Sequence, residues 1–359
     1  MTDSTVATGL TVQNWNKKFF TESIMENRFK REMGKSTNNI IQLKTDLEKN
    51  KGDSITYALV NRLTGAGVTG SSTLEGNEED MESRSFKLAV NKIRNAVRVA
   101  DIDEQFSAIS LRQAGREVLM DWNMEKIRDD IITAFHQING VAYGSASETQ
   151  KDAWLTDNTD RVLFGNAVGN RSGTDHSASL GAITASMKLG PDEVSLMKRI
   201  AESASPKIRP TRSTEDERHY VLYCGSLAFR DFSNNATITQ ANRDARARGV
   251  NNPLFQGGDL LWDGVIIKEI PDIASLGTVG ASSAVVAPVF FCGAQAIGYA
   301  IAKTTKSVTE TFDYDDKHGV AVEEIRGIGK MTFGSGSTDT ADLKDHGIVT
   351  GYFAAAADA

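Results

Sequence analysis

Residues 53–100 read DSITYALVNRLTGAGVTGSSTLEGNEEDMESRSFKLAVNKIRNAVRVA. Ile55 to Leu63 has the composition of an outgoing strand, and on the way back Phe86, Leu88 and Val90 alternate with Lys87, Ala89 and Asn91. A period of two marks a strand with one covered face, so 53–100 is predicted to be a long two-stranded hairpin. Its connection, GAGVTGSSTLEGNEEDMES, is too long for a tight turn, and loops of that length are usually functional or mobile. The charges are segregated. Glu75, Glu78, Glu79, Asp80 and Glu82 crowd the tip, while Arg84, Lys87, Lys92, Arg94 and Arg98 run back toward the body. The tip acids are expected to meet a basic surface of another molecule, with Arg243, Arg246 and Arg248 as one candidate patch and Arg84 and Lys87 in the same contact region.

Next comes a segment without proline, expected to be one helix from about Asp103 to Ile138. Leu111, Ala114, Val118 and Trp122 mark one stripe, continued by Ile127, Ile131, Phe135 and Ile138, and Asn139-Gly140 supplies the stop. A helix of that length outside a coiled coil is a spine from which other parts hang. On the other side of the hairpin, residues 1 to about 35 read as an arm. Val12, Trp15, Phe19 and Phe20 fall at helical spacing, as do Phe29 and Met33, beside a basic face of Lys17, Lys18, Arg28, Lys30, Arg31 and Lys35. Such a face can meet a membrane or nucleic acid. The reading preferred here packs the stripe on a neighbouring subunit or on the chain's own body, with Trp15, Phe19 and Phe29 as contact candidates.

All six prolines lie between Pro191 and Pro288, so the middle of the chain is cut into short elements. A helix is predicted over Asp192–Ala204 with Pro191 at its first turn. Strands are predicted over Tyr220–Cys224, Gly264–Ile270 and Val285–Phe291, and a short helix over Ala294–Ala302. The polar stretch TITQANRDARARGVNNPLFQGGD carries a basic cluster, Arg243, Arg246 and Arg248, and reads as a surface loop. From Lys306 the alternation resumes as a hairpin turning between Asp313 and Gly319, and Ile348–Phe353 forms a last strand.

With 40 Lys and Arg against 47 Asp and Glu, the formal charge is -7, and the 40% hydrophobic content excludes disorder of the whole chain. Its 359 residues exceed what a single core usually serves. Cys224 and Cys292 cannot make a disulfide framework; both end apolar runs and read as buried thiols of a protein folded in a reducing compartment. No secretory signal is read at the N-terminus. The uncharged run 273–302 is interrupted by Pro288, Gly293, Gln295 and Gly298, which argues against a membrane span.

Chemical motifs fail on context. Gly65, Gly67 and Gly70 form a G-x-G-x-x-G, but Ser residues and five acids follow where a phosphate-binding helix is needed. Asp313, Asp315 and Glu324 match part of an EF-hand loop, yet Lys317 and His318 occupy a ligand position and the obligatory glycine. The five histidines are scattered. No catalytic, cofactor-binding or metal residue is therefore assigned.

The order of parts (arm, long hairpin, spine helix, mixed domain, return hairpin) resembles the major capsid proteins of tailed bacteriophages, whose fold is named after phage HK-ninety-seven. The N-four-like subfamily is the most similar. The resemblance is carried by Lys51-Gly52-Asp53-Ser54-Ile55, Leu74-Glu75-Gly76, Val221-Leu222-Tyr223-Cys224 with Phe229-Arg230-Asp231-Phe232, Pro253-Leu254-Phe255 before Gly257-Gly258, and Gly293 to Ala300. It covers most of the chain past residue 40, and the polar, Gly-rich stretch 165–181 departs from it. It implies an α+β fold with an N-arm (1–52), an E-loop hairpin (53–100), a peripheral-domain spine (101–140), an axial domain (141–300), and a return hairpin with a C-terminal strand (301–359). It further implies self-assembly into pentamers and hexamers of an icosahedral head shell, assembled in the host cytoplasm and found in the virion. The implied partners are a separate scaffolding protein, a portal, a decoration protein, and double-stranded DNA held without sequence preference; there is no membrane. The competing readings are an encapsulin-like compartment shell and, in another class, a nucleotide-dependent enzyme using GAGVTG.

Overall fold

The computed structural model describes residues 28–46, 52–60, 67–71, 73–78, 83–107, 110–212, 218–240, 260–314, 316–335 and 340–355. In chain order the elements begin with β1 (Met33–Gly34), β2 (Ile41–Lys44), β3 (Ser54–Val60), β4 (Ser83–Ala89) and β5 (Asn91–Ala100). Helices α1 (Asp101–Phe106), α2 (Leu111–Phe135) and α3 (Glu148–Asp157) follow, then β6 (Val162–Phe164), α4 (His176–Gly181), α5 (Pro191–Ser203), β7 (Thr211–Arg212), β8 (Arg218–Cys224) and α6 (Ser226–Ser233). The rest is β9 (Leu260–Trp262), β10 (Val265–Glu269), β11 (Val286–Cys292), β12 (Ile297–Phe312), β13 (Lys317–Lys330), β14 (Thr332–Ser335), β15 (Ala341–Asp345) and β16 (Ile348–Ala354).

Two large sheets organise these strands. One has the order β1-β2-β12-β13-β5, in which β12 and β13 form the return hairpin and β5 pairs antiparallel along β13 from Ala100 opposite Lys317 to Asn91 opposite Arg326. The other runs β6-β16-β11-β8-β10-β9, with β7 added to β8. Its central strands β11 and β16 are buried at every position, as a strand covered on both sides must be. Helix α5 places Val194, Met197 and Ile200 against Leu222, Val289 and Phe353 of that sheet. The second half of α2 sits between the two bodies, where Phe135, Tyr223, Phe290 and Tyr299 share one core. Cys224 and Cys292 lie in these cores as free thiols, and burial pushes both upward in pKa.

Three sequence readings change. The predicted spine is two helices. Ser107 is extended, and the Ser110 side chain accepts from the Gln113 backbone N–H at 3.4 Å, an N-cap that starts α2 afresh. The longer piece therefore spans roughly 37 Å at about 1.5 Å per residue. Its covered face in the first half is Leu119 and Asn123, while Val118 points outward. Second, Ala294–Ala302 is no helix: from Ile297 it is the start of β12, paired with Ile41–Lys44 on one side and β13 on the other. Both faces there are buried, so no alternation shows in the sequence. Third, the hairpin ends at Ala89. Residues 91–100, predicted as its continuation, join the five-stranded sheet instead.

Candidate assembly interface

The hairpin is rooted in the protein's own sheet. Ile55, Tyr57 and Leu88 are buried with Ala300, Met331 and Phe333. The seat is made by glycines. Gly298 and Gly329 are register partners on β12 and β13, with Gly327 two residues before. A Cβ on Gly298 would come 3.1 Å from the Tyr57 ring, one on Gly329 2.9 Å from Leu88, and one on Gly327 would collide with the Ala89 carbonyl oxygen. Lys44 donates to the Thr56 carbonyl at 3.0 Å and stands over the Tyr57 ring at 4.3 Å, pinning β3 from the side.

The tip is exposed. Asn77 N–H donates to the Leu74 carbonyl at 2.9 Å and its side-chain amide to the Thr73 carbonyl at 3.0 Å, with Gly76 at φ 83. That is a closed turn of the kind that needs glycine at its third position. It presents Leu74 and Glu75, both exposed, and Glu78, whose carboxylate accepts from Gly76 N–H at 2.7 Å. Behind the tip on β4, Arg84 is half-buried and Lys87 exposed. Glu79, Asp80 and Glu82 lie outside the described residues, as do Trp15 and Phe19 of the arm and the cluster Arg243, Arg246 and Arg248.

Phe29 is corrected as a contact candidate. It is fully buried in the chain's own core, edge-on to Tyr223 at 5.3 Å and tilted against Phe135 at 5.8 Å, and so has no face left for a neighbour. Glu32, just after it, forms a buried ion pair with Lys268 of β10. Residues 28–44 are thus welded to the body, contrary to an arm that begins to leave it at residue 35.

A surface the sequence reading did not single out lies on the five-stranded sheet. Its inner face packs Val97, Val320 and Val322 against Leu119 of α2. On the outer face the register stacks Val308, Ala321 and Ala96 in one row, Glu310, Gly319 and Arg98 in the next, and Lys306, Glu323 and Arg94 in a third. A groove of about 380 Å³ follows the first two rows, floored by small residues, walled by Val308 and Phe312, and bordered by one base and one acid, Arg98 and Glu310. Lys303 and Lys92 reach Glu323 at 2.6 and 2.7 Å, and their hydrogen bonds hold its carboxyl down to about 2. Arg94, Arg98 and Lys306 are exposed and make no ion pair within 4.0 Å among the described residues. Alternation around Val308 and Val97 was the available signal; pairing of β5 with β13 was not readable.

The described residues contain no group of His, Cys, Asp and Glu suited to a metal, and no helix long and apolar enough to cross a membrane. After Gly67 and Gly70 the chain forms turns and then β4, with no helix among the described residues to receive a phosphate.

Comparison with known proteins agrees with this architecture. A family model described as phage capsid protein matches residues 3–357. The major capsid protein of Pseudomonas phage KPP25 is 29% identical over 353 residues, covering 90% of this chain and 89% of that protein. Among solved structures, the cyanophage Pam1 capsid asymmetric unit superposes with a TM-score of 0.84 at 33% identity over 100% of both chains. The capsid of Ralstonia phage GP4 gives 0.71 at 21% identity, covering 92% of this chain and 91% of that one.

Proposed function

The chain belongs to the phage capsid protein family, and on that premise we propose how it builds its shell. It is a major capsid protein, a structural component of the virion that forms the icosahedral head and not an enzyme. Copies join into pentamers and hexamers, and each extends its hairpin across the capsomer to a neighbour. The observation that carries this reading is the match of the family model from end to end of the chain, over the same span as the hairpin, spine and two-sheet body.

Several finer points belong to the same proposal. The arm, with Trp15 and Phe19, and the basic cluster Arg243, Arg246 and Arg248 make contacts between copies. Assembly takes place in the host cytoplasm around a separate scaffolding protein, onto a portal, with a decoration protein added outside. Double-stranded DNA is enclosed without sequence-specific contact, consistent with a net charge of -7, which disfavours adhesion to phosphate. The hairpin, spine, axial and return divisions are kept, with the arm ended before residue 28, the hairpin ended at Ala89 and residues 91–100 given to the peripheral sheet. Electron microscopy of the protein expressed with its scaffold tests the reading: closed shells or capsomers are expected, and a chain that remains a compact monomer under those conditions refutes it.

A further inference from the structure

We propose that the polar stretch 166–182 is a flap bolted to the body by the neutral imidazole of His176, and that protonation of this ring releases it. The device belongs to the single chain and stands apart from the shell reading. It occupies the stretch of sequence that departs from the family resemblance.

Little holds the flap down. Between Asn166 and Ala182 only His176, Ser179 and Leu180 are buried. Ser179 is used inside the flap: its hydroxyl donates to the Asp175 carbonyl at 2.6 Å and accepts from Ser172 N–H at 3.0 Å. Asp175 caps α4 by accepting from Ala178 N–H at 2.8 Å. Asn170 ties the flap to its own root at the Phe164 carbonyl, 3.1 Å away. Toward the body, Arg171 donates to the Thr159 carbonyl and His176 N–H to the Asp152 carboxylate, both at 2.8 Å. The side chains that enter the core are therefore Leu180, packed with Trp154, Phe164 and Tyr352, and His176 beside it.

The seat of His176 suits an uncharged ring. It is 1% exposed and lies among the rings of Tyr143, Trp154, Phe164 and Tyr352, with centroids at 5.7, 6.3, 5.8 and 5.5 Å. Neither Nδ1 nor Nε2 has a hydrogen-bond partner among the described residues. The Tyr352 hydroxyl is already engaged by Nε2 of His136, at 3.1 Å. An imidazolium would present two N–H donors where the neutral ring presents one, and a buried charge without a partner is strongly disfavoured.

The charged groups around the ring do not change that outcome. On α3, Lys151 stands 4.5 Å over the Tyr143 ring and pairs with Glu148 at 2.9 Å, while Asp152 is committed to the His176 backbone. Asp175 is committed to its cap. At the end of α2, His136 stacks on Tyr143 at 3.8 Å and is itself held well below its ordinary value by burial. Lys330, over the Trp154 ring, is paired with Asp345. Glu148, Asp152 and Asp175 favour a charged ring and Lys151 opposes it, but burial outweighs them and pushes His176 down to about 4. A released ring takes its proton near 6.5. Opening is therefore favoured as pH falls, by about tenfold per unit between 6.5 and 4.

Hydrogen exchange of the full-length, unassembled chain tests this, with rates corrected for the intrinsic effect of pH. The amides of His176, Ser179 and Ala182 are bonded to Asp152, Asp175 and Ala178, and a six-residue helix does not persist once detached. Between pH 7 and pH 5 these amides should open roughly 20-fold more readily. Their rates should be unmoved by about 1 M urea, the mark of local opening as opposed to global unfolding. His176→Phe, which keeps a ring in the aromatic seat, should reduce the rise to within about twofold, and His346→Phe should retain it. His176→Gln, polar but not titratable, should also be flat with pH and keeps the opening visible if Phe packs too tightly for it to be seen. A wild-type rise below about threefold, a rise that survives in both His176 variants, or exchange that follows urea would each overturn the flap and leave the shell reading intact.

Discussion

Gly327→Ala is the sharpest perturbation of the hairpin root. The added methyl group would overlap the Ala89 carbonyl oxygen and lie 3.1 Å from its carbon and 3.4 Å from Leu88. The first two are backbone atoms, so no side chain can swing aside. Two responses are open. Full undocking would expose Ile55, Tyr57 and Leu88, at about 1.5–3 kcal/mol for each large apolar side chain. A shift of β4 within its seat has the character of overpacking, about 1–3 kcal/mol. The shift is cheaper and should win, with a loss of about 2 kcal/mol confined to the root. Hydrogen exchange reads that quantity locally, since a factor of ten corresponds to about 1.4 kcal/mol. Amides of Ser54–Val60 and Ser83–Ala89 in the unassembled chain should exchange about 30-fold faster, and those of β11 and β16 should not change. Gly144→Ala, where a Cβ meets nothing within 4 Å, is the control. Protection of the hairpin within about threefold of wild type in Gly327→Ala would show that the glycine seat does not hold the root.

The remaining predictions concern the body. Phe29→Ala should lower the stability of the unassembled chain by about 3–5 kcal/mol, the cost of deleting a buried ring, and truncation through residue 35 should do at least as much because it also removes Glu32; thermal unfolding of the isolated chain checks both, and unchanged melting with defective shells would return Phe29 to an interface role. Asp345→Ala should cost about 3–5 kcal/mol because Lys330, buried at 2.7 Å from that carboxylate, is left unpaired, and adding Lys330→Met should recover most of it in urea unfolding. Burial pushes His176 and His346 down to about 4. The unfolded chain takes up protons below about 6.5 while the folded chain does not until about 4, so stability present above pH 6.5 is lost on acidification by about 1.4 kcal/mol per unit for each group. Glu32 and Glu324, raised by their own burial, oppose this at the acid end. Urea midpoints between pH 7 and 5 should therefore fall less steeply in His176→Phe with His346→Phe, and equal slopes would exclude these residues as the cause.

How much of this was legible in the sequence depends on what each signal measures. The period of two in Phe86, Leu88 and Val90 reports one covered face, and it identified the returning strand. The change of partner after Ala89 did leave a sign, since the apolar residues move from even positions (Phe86, Leu88, Val90) to odd ones (Ile93, Val97, Val99), but the period alone did not name the new partner. Uniform burial erased the period at Ile297–Ile301, so that stretch read as a helix. Ser110 was a visible capping residue just ahead of the stripe that begins at Leu111, yet the absence of proline carried the reading of one helix across it. The groove was illegible for a stronger reason: Arg98 lies more than two hundred residues of chain before the hairpin of Lys306 and Ala321, and only the register of β13 on β5 brings it to them. Phe29 was misassigned because helical spacing with Met33 says that a face is covered and nothing about by which copy.

The distribution of ion pairs separates what must be permanent from what must be reversible. Within one chain a set of buried charged contacts joins the elements, beside exposed pairs such as Lys92–Glu323. Arg326 of β13 meets Asp130 of α2 at 2.7 Å beside Glu324, which also accepts from Tyr299 at 3.3 Å and Thr305 at 3.2 Å. Lys330 and Trp154 converge on Asp345, whose backbone is held by Asn158 and Arg161. Removing one member of such a set costs about 3–5 kcal/mol, so spine, sheet and second body move as a unit. Between copies, exposed charges such as Glu75 and Glu78 are worth about 0–1 kcal/mol per pair. A single wrongly placed subunit then dissociates easily, whereas one that engages several neighbours at once is held by their sum. Salt weakens only the exposed class. Raising ionic strength should thus slow assembly while leaving the fold of the unassembled chain unchanged, which is the behaviour expected of a closed shell built from rigid parts by weak contacts.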